Sequence, residues 1–211
     1  MTSLINKLAP ASSAGIKLVV LISDVGTGTN LQAIIDGIEA GKVNAEISAV
    51  ISDTPDSLGL ERARKHNLSI EICKTKEELL PLIQKLNPDF VCLAGWKQII
   101  LNEVILAYPS KILNLHPGLI PDGEFGSVKN PDGTEALWNK GMLTDKAIQN
   151  FLDHESTHAG SSIHFLTLNF DFGPVLARTF EKVIEHDNVE SLYSRLKKKE
   201  NKMYVEVLSR L

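Results

Sequence analysis

Cysteine is scarce in this chain of 211 residues: Cys73 and Cys92 are the only two. That is too few for a disulfide framework. Both lie in apolar runs, so they read as buried free thiols in a reducing compartment. No apolar stretch approaches the roughly 18–20 residues that span a bilayer, which argues against a membrane-embedded protein. Residues 1–15 lack the apolar core of a secretory signal and read as a flexible N-terminal tail. Positive charge is short as well. The chain has 22 Lys and Arg against 26 Asp and Glu, a formal net charge of −4. That balance exerts no general pull on nucleic acid or an anionic membrane. The expectation is a cytoplasmic protein that handles small molecules, with no nucleic-acid or membrane partner. Any phosphate it binds must be held by a local device.

What is present suits a globular enzyme. Hydrophobic residues make up 43% and charged residues 23%, ordinary values for one domain with a sizeable core. Strand-like and helix-like patterns alternate. Lys17–Ile22 is a continuous apolar run of the kind buried on both faces of a sheet. Asn30–Ile38 follows with apolar residues at 31, 34, 35 and 38, which is helical spacing. Strands are predicted at Ala45–Ile51, Leu68–Cys73, Phe90–Ala94 and Lys111–Leu115. Helices are predicted at Asp56–His66, Thr75–Leu86 and Leu101–Ala107. Thr75 and Glu78 have the spacing of a capping box. The alternation predicts an α/β fold on a mostly parallel sheet. Beyond His116 regularity weakens. Residues 117–133 read as loop, Thr134–His154 as helix, Ser161–Leu168 and Pro174–Val183 as strands, and Asn188–Leu211 as a closing amphipathic helix. Its apolar face (Leu192, Leu196, Met203, Val207) suits packing on the sheet or on a second subunit, so monomer and homodimer both stay open.

Chemistry-bearing residues follow the predicted strands, where ligands bind in such sheets. After the first strand come Gly26, Thr27, Gly28, Thr29 and Asn30, and then a helix. Glycines let main-chain N–H groups face an anion, and the helix start adds donors and partial positive charge. Leu31 stands where a dinucleotide fingerprint has its third glycine, and a Walker lysine is missing. A single phosphate suits the loop better than a dinucleotide. Asn114 and His116, two apart on a strand, point to one face, where two N–H groups can converge on one oxygen. Asp171 precedes Gly173-Pro174, whose turn can aim it back.

In order along the chain, Gly26–Ile35 (GTGTNLQAII), Gly59–Ala63 (GLERA), Leu93–Trp96 (LAGW), Leu113–Pro117 (LNLHP), Gly160–Phe165 (GSSIHF) and Asp171–Val175 (DFGPV) resemble the signatures of folate-dependent formyltransferases. The first of these resembles the glycinamide ribonucleotide branch in particular. The resemblance runs over about residues 17–205. It implies a single-domain Rossmann-like sheet over residues 16–211, with helices on both faces. It also implies transfer of a formyl group from 10-formyltetrahydrofolate to the amine of 5'-phosphoribosylglycinamide in purine biosynthesis. The folate would be a co-substrate, with no prosthetic group. The implied roles are phosphate binding by residues 26–30 and folate contacts from Lys97, Gln98, Ile99, Ile100 and Asn114, with Ile99 and Ile100 lining an apolar slot. Asn114 would polarise the formyl oxygen and His116 donate a proton. Asp171 would support His116 by raising its pKa. Glu200 would meet the acceptor, and His164 would be a packed supporting residue.

The chain departs from the family pattern in places. Lys97-Gln98 replaces Met-Arg, and Glu200-Asn201 replaces Glu-His. An arginine expected between residues 64 and 93 is missing, with Lys74 and Lys76 as partial substitutes. An insert of about 122–157 carries no matching histidine. These changes leave open another amine acceptor, such as an amino-sugar nucleotide. A folate or nucleotide binder without activity is the alternative of another class, opposed by the presence of Asn114, His116 and Asp171. The insert also ends in His154-Glu155-Ser156-Thr157-His158, an H-E-x-x-H match, with His164 further on. On a sound helix two such histidines grip zinc with Glu155 as base, so a zinc metalloprotease is a minor alternative. Gly160 sits one place out of register for the longer zinc motif, so no metal site is expected.

Overall fold

A computed structural model describes residues 15–23 and 27–211. The proposed N-terminal tail, apart from Gly15, and Gly26 of the phosphate loop lie outside the described residues. Compactness divides the chain into two units: the part up to Ile112 together with Tyr204–Leu211, and Leu113–Met203.

The first unit follows the predicted alternation. Its strands are β1 (Ile16–Ile22), β2 (Ala45–Ser52), β3 (Ile70–Ile72) and β4 (Phe90–Leu93). β1 pairs in parallel with β2 on one side and β4 on the other, and β2 pairs in parallel with β3. Leu18, Val19, Val20 and Leu21 are fully buried, as expected of a central strand covered on both faces. Helix α1 (Thr29–Glu39) buries Leu31, Ile34 and Ile35, three of the four positions its spacing marked. Helix α2 (Leu60–Lys65) is shorter than expected, because residues 56–59 form turns ahead of it. The capping box at Thr75 and Glu78 is present. It opens on a 3₁₀ turn, Lys76–Glu78, that leads into α3 (Leu79–Leu86). Helix α4 (Asn102–Ala107) precedes β5 (Ile112–His116). The strand order is β3-β2-β1-β4-β5-β6-β7, with β6 (His158–Phe165) and β7 (Val175–Lys182). Order reverses between β1 and β4, the kind of point beyond whose strand ends ligands bind.

The second unit is antiparallel, with β5 against β6 and β6 against β7. No helix separates β6 from β7, so a parallel crossover is not available to them. Helix α5 (Thr144–Asp153) and the first part of α6 (Val189–Leu208) supply Ile148, Phe151, Leu192 and Leu196 to a core with Leu119 and Ala159. The expected apolar face of α6 is therefore buried within the chain. No helix among the described residues is long and apolar enough to cross a membrane.

One expectation is corrected here. Residues 134–143 are not helical. The chain there bridges back from Glu135 to Lys129, and Asn139 and Gly141 take left-handed backbone angles of 57° and 78°, which stop a helix from starting before Thr144. The H-E-x-x-H residues also fail to share a helix. His154 caps the end of α5, Glu155 has φ 48°, and His158 opens β6. The imidazoles therefore lack the one-face, one-turn spacing that a zinc helix supplies. No cluster of three or more metal-ligating side chains occurs among the described residues.

Phe151 is fully buried in the second unit's core. Phe151→Ala should cost about 3–5 kcal/mol of stability, read as a lower urea midpoint in equilibrium unfolding.

Candidate functional site

The phosphate-loop residues sit in the first unit, at the end of β1. Gly28 is the residue ahead of α1, with φ 69° and no side chain capping the helix. A side chain at Gly28 would fail twice: the backbone angle disfavours it, and a Cβ would lie 2.8 Å from the Gly59 Cα. The first-turn N–H groups thus keep their donors, and no acidic residue occupies that turn. Such an end is suited to an anion. Thr27 is exposed, Thr29 half-buried and Asn30 buried. Arg62, from α2, donates through Nε to the Thr27 carbonyl at 2.8 Å and through Nη1 to Gln32 Oε1 at 3.0 Å. This places a guanidinium directly beneath the loop, a role that the GLERA match alone did not assign.

The segment after β4 is tied to the same region, since the Lys97 N–H donates to Ser23 Oγ at 2.9 Å. Lys97 is exposed and Gln98 half-buried. Ile99 is 60% exposed whereas Ile100 is 8% exposed. The two isoleucines therefore do not line one apolar slot together. Ile100 belongs to the core, and Ile99 alone offers apolar surface.

The second unit brings Asn114, His116 and Asp171 together. Asn114 and His116 lie two apart on β5, facing His164 and Ser162 of β6 in register. The Asn114 amide Nδ2 is 3.1 Å from His164 Nε2. An amide nitrogen only donates, so His164 accepts there. Asn114 keeps a second N–H for another acceptor. Burial, with the nearby His116, pushes the His164 pKa down to about 3. It is the supporting residue that the sequence suggested.

Asp171 occupies the turn before β7 with φ 48°, a left-handed angle that Asp tolerates better than most residues. Gly173 makes the turn possible, because a Cβ there would lie 2.3 Å from the Phe165 carbonyl. The Asp171 Oδ1 is 3.6 Å from His116 Nδ1. His116 is 2% exposed, and its Nε2 is 2.7 Å from the Trp138 carbonyl oxygen. A carbonyl only accepts, so Nε2 carries the proton and Nδ1 faces the carboxylate.

The expected sign at His116 is reversed. Its pKa is lowered, because loss of water outweighs the opposing pull of Asp171 and of the Trp138 carbonyl. His116 is thus held as a neutral imidazole near neutrality. The sequence reading counted the carboxylate but not the burial.

Glu200 lies buried on α6. It accepts from Ser161 Oγ at 2.6 Å, and Lys197 Nζ is 2.8 Å from its other oxygen. The carboxylate is engaged inside its own unit, and nothing in this arrangement turns it toward an acceptor. His154 Nδ1 lies 2.9 Å from the Asn150 carbonyl, and His158 Nδ1 lies 3.1 Å from Thr157 Oγ1 and 3.7 Å from Asp132. Trp138 and Gly141, which touch His116 and Asp171, were missed. Their only mark in the sequence is one tryptophan in a polar insert.

Comparison with known proteins agrees with the motifs. A family model described as formyl transferase matches residues 16–208. The phosphoribosylglycinamide formyltransferase of Escherichia coli K12 is 33% identical over 201 residues, 91% of this chain and 85% of the relative. The chloroplastic enzyme of that name from Arabidopsis thaliana is 32% identical over 202 residues, 91% of this chain but only 64% of its own length. The crystal structure of glycinamide ribonucleotide transformylase 1 from Symbiobacterium toebii superposes with a TM-score of 0.78 at 32% identity. It covers 94% of this chain and 88% of that one.

This geometry predicts three outcomes. Gly28→Ala should weaken binding of a phosphorylated acceptor while sparing folate binding, measured by titration calorimetry with each ligand. His164 should not titrate between about pH 5 and 8 by NMR. The folded state binds fewer protons than the unfolded chain at His116 and His164. The stability that His164 contributes is therefore present above about pH 6.5 and is lost as pH falls toward about 3, and that of His116 is likewise lost on the acid side. Urea midpoints across that window check the sign.

Proposed function

The chain belongs to the formyl transferase family, in the branch of the phosphoribosylglycinamide formyltransferases, and we propose that it transfers a formyl group from 10-formyltetrahydrofolate to the amine of 5'-phosphoribosylglycinamide in purine biosynthesis. The observation that carries this reading is the placement of Asn114, His116 and Asp171 around one point of the second unit. In this reading the loop with Thr27, Gly28, Thr29 and Asn30 takes the acceptor's phosphate, with Arg62 bracing it. Lys97, Gln98 and Ile99 meet the folate.

The geometry supports a definite proton route. The acceptor amine attacks the formyl carbon, and the formyl oxygen gains negative charge. The second N–H of Asn114 stabilises that charge. The amine's proton passes to Nδ1 of the neutral His116, where the Asp171 carboxylate, 3.6 Å away, stabilises the imidazolium so formed. The carbon–nitrogen bond to folate then breaks, and the leaving nitrogen takes the proton from His116. The histidine is therefore a base first and a donor second, rather than a donor from the outset.

The test is acceptor-dependent formyl transfer followed by absorbance of the folate product, with a control lacking acceptor. Turnover only with phosphoribosylglycinamide is expected. Equal turnover without acceptor would mean hydrolysis and would overturn the reading. Asn114→Ala should lower kcat by about 10²–10³-fold. His116→Ala and Asp171→Asn should lose most activity while keeping the far-ultraviolet circular dichroism of a folded chain.

A further inference from the structure

The insert does more than close a loop, because residues 137–141 run directly over the His116–Asp171 pair. The Trp138 carbonyl accepts from His116 Nε2 at 2.7 Å. The Trp138 indole N–H donates to the Asp171 carbonyl at 3.0 Å, and the Gly141 N–H donates to Asp171 Oδ2 at 2.7 Å. One five-residue strap thus touches both members of the pair through three hydrogen bonds. Its approach is built into the chain: a Cβ on Gly118 would lie 1.8 Å from the Trp138 oxygen and 2.9 Å from His116 Nε2. Only glycine at 118 lets that carbonyl reach the ring.

The strap is anchored from behind. Asn139 donates to the carbonyls of Pro117 and Ala147 at 3.1 and 3.2 Å, and Asn150 of α5 donates to Asn139 Oδ1 at 2.8 Å. Leu119 N–H donates to the Leu137 carbonyl at 2.9 Å. The Trp138 ring packs on Phe172 with centroids 5.8 Å apart, and Lys140 Nζ lies 4.9 Å above the indole. Such a set of contacts fixes a main-chain carbonyl in place.

We propose that Trp138 is a positioning residue of the transfer: it locks His116 as the Nε2–H tautomer, turning Nδ1 toward Asp171 as the proton-accepting atom. This deepens the proposed function and rests on it. The groups that face the ring are Asp171 from the turn before β7, His164 from β6 with ring centroids 6.5 Å apart, and Lys140 on the far side of the Trp138 indole. Only the Trp138 carbonyl accepts from Nε2–H; the Asp171 carboxylate, 3.6 Å from Nδ1, is the competing acceptor, and the shorter contact at Nε2 sets the tautomer. Burial holds the ring neutral, and the strap decides which nitrogen is left bare.

The experiment uses the full chain, wild type against Trp138→Phe and Trp138→Ala. Trp138→Phe keeps a ring for Phe172 but loses the N–H on Asp171. Long-range ¹H–¹⁵N NMR reads the His116 tautomer directly, and steady-state kinetics separate kcat from KM. The expected result is the Nε2–H tautomer in wild type. In Trp138→Phe some Nδ1–H form should appear, with a kcat reduced roughly 3–10-fold, the effect of one lost hydrogen bond, and KM values kept. Trp138→Ala should show both effects more strongly. A wild-type His116 protonated on Nδ1 would overturn the proposal. So would variants that keep the wild-type tautomer and kcat and lose only thermal stability. If Trp138→Ala does not fold, Trp138→Phe decides. A wild-type chain with no acceptor-dependent transfer would sink the proposed function, whereas the tautomer measurement would still judge the strap.

Discussion

The chemistry proposed for this chain depends on the removal of one imidazole from water. His116 is the last residue of β5, covered by the 137–141 strap and by β6. Burial of that degree costs the charged form more than a carboxylate 3.6 Å away returns. The neutral ring then needs an acceptor in a fixed place for its one N–H, and the fold supplies it. The main-chain carbonyl of Trp138 takes the N–H, and the bare nitrogen is left facing Asp171. The glycines at 118 and 173 follow from the same demand, since both stand where main-chain oxygens come within reach of a would-be Cβ.

The first unit solves a different problem with the same economy of means. To hold a phosphate, a chain with net negative charge needs a local device rather than a basic surface. The proposed device is a glycine with φ 69° ahead of α1, a helix start uncapped by any side chain, and Arg62 under the turn. The donors are main-chain groups, so the loop requires particular backbone angles more than particular side chains.

Much of this was legible in the sequence, for physical reasons. Elements buried on one face or both write their period into the chain, which is why β1, β2, β4, α1 and α6 were found close to their observed bounds. That Asn114 and His116 share one face was legible because strand alternation puts residues two apart on the same side. The misses share a cause. Residues 134–143 have helix-forming composition but are held extended by contacts distant in sequence and by left-handed angles at Asn139 and Gly141. The H-E-x-x-H match, from which no metal site was expected, does not share one helix, because helix α5 stops at Asp153. The lowered pKa of His116, the engagement of Glu200 by Ser161 and Lys197, and the strap of Trp138 all depend on tertiary burial. No local pattern reports such burial.

The central claim is that His116 works from its neutral form. Its most direct test is kcat for formyl transfer at saturating substrates, followed from about pH 5 to 8.5, with stability confirmed at each point. The account predicts a plateau through neutrality and above. Any decline should come on the acid side, below the ordinary histidine value of about 6.5, as the buried ring gains its proton. A kcat that falls as pH rises through 6 to 7 would show that the protonated ring is the working form, and would contradict the account.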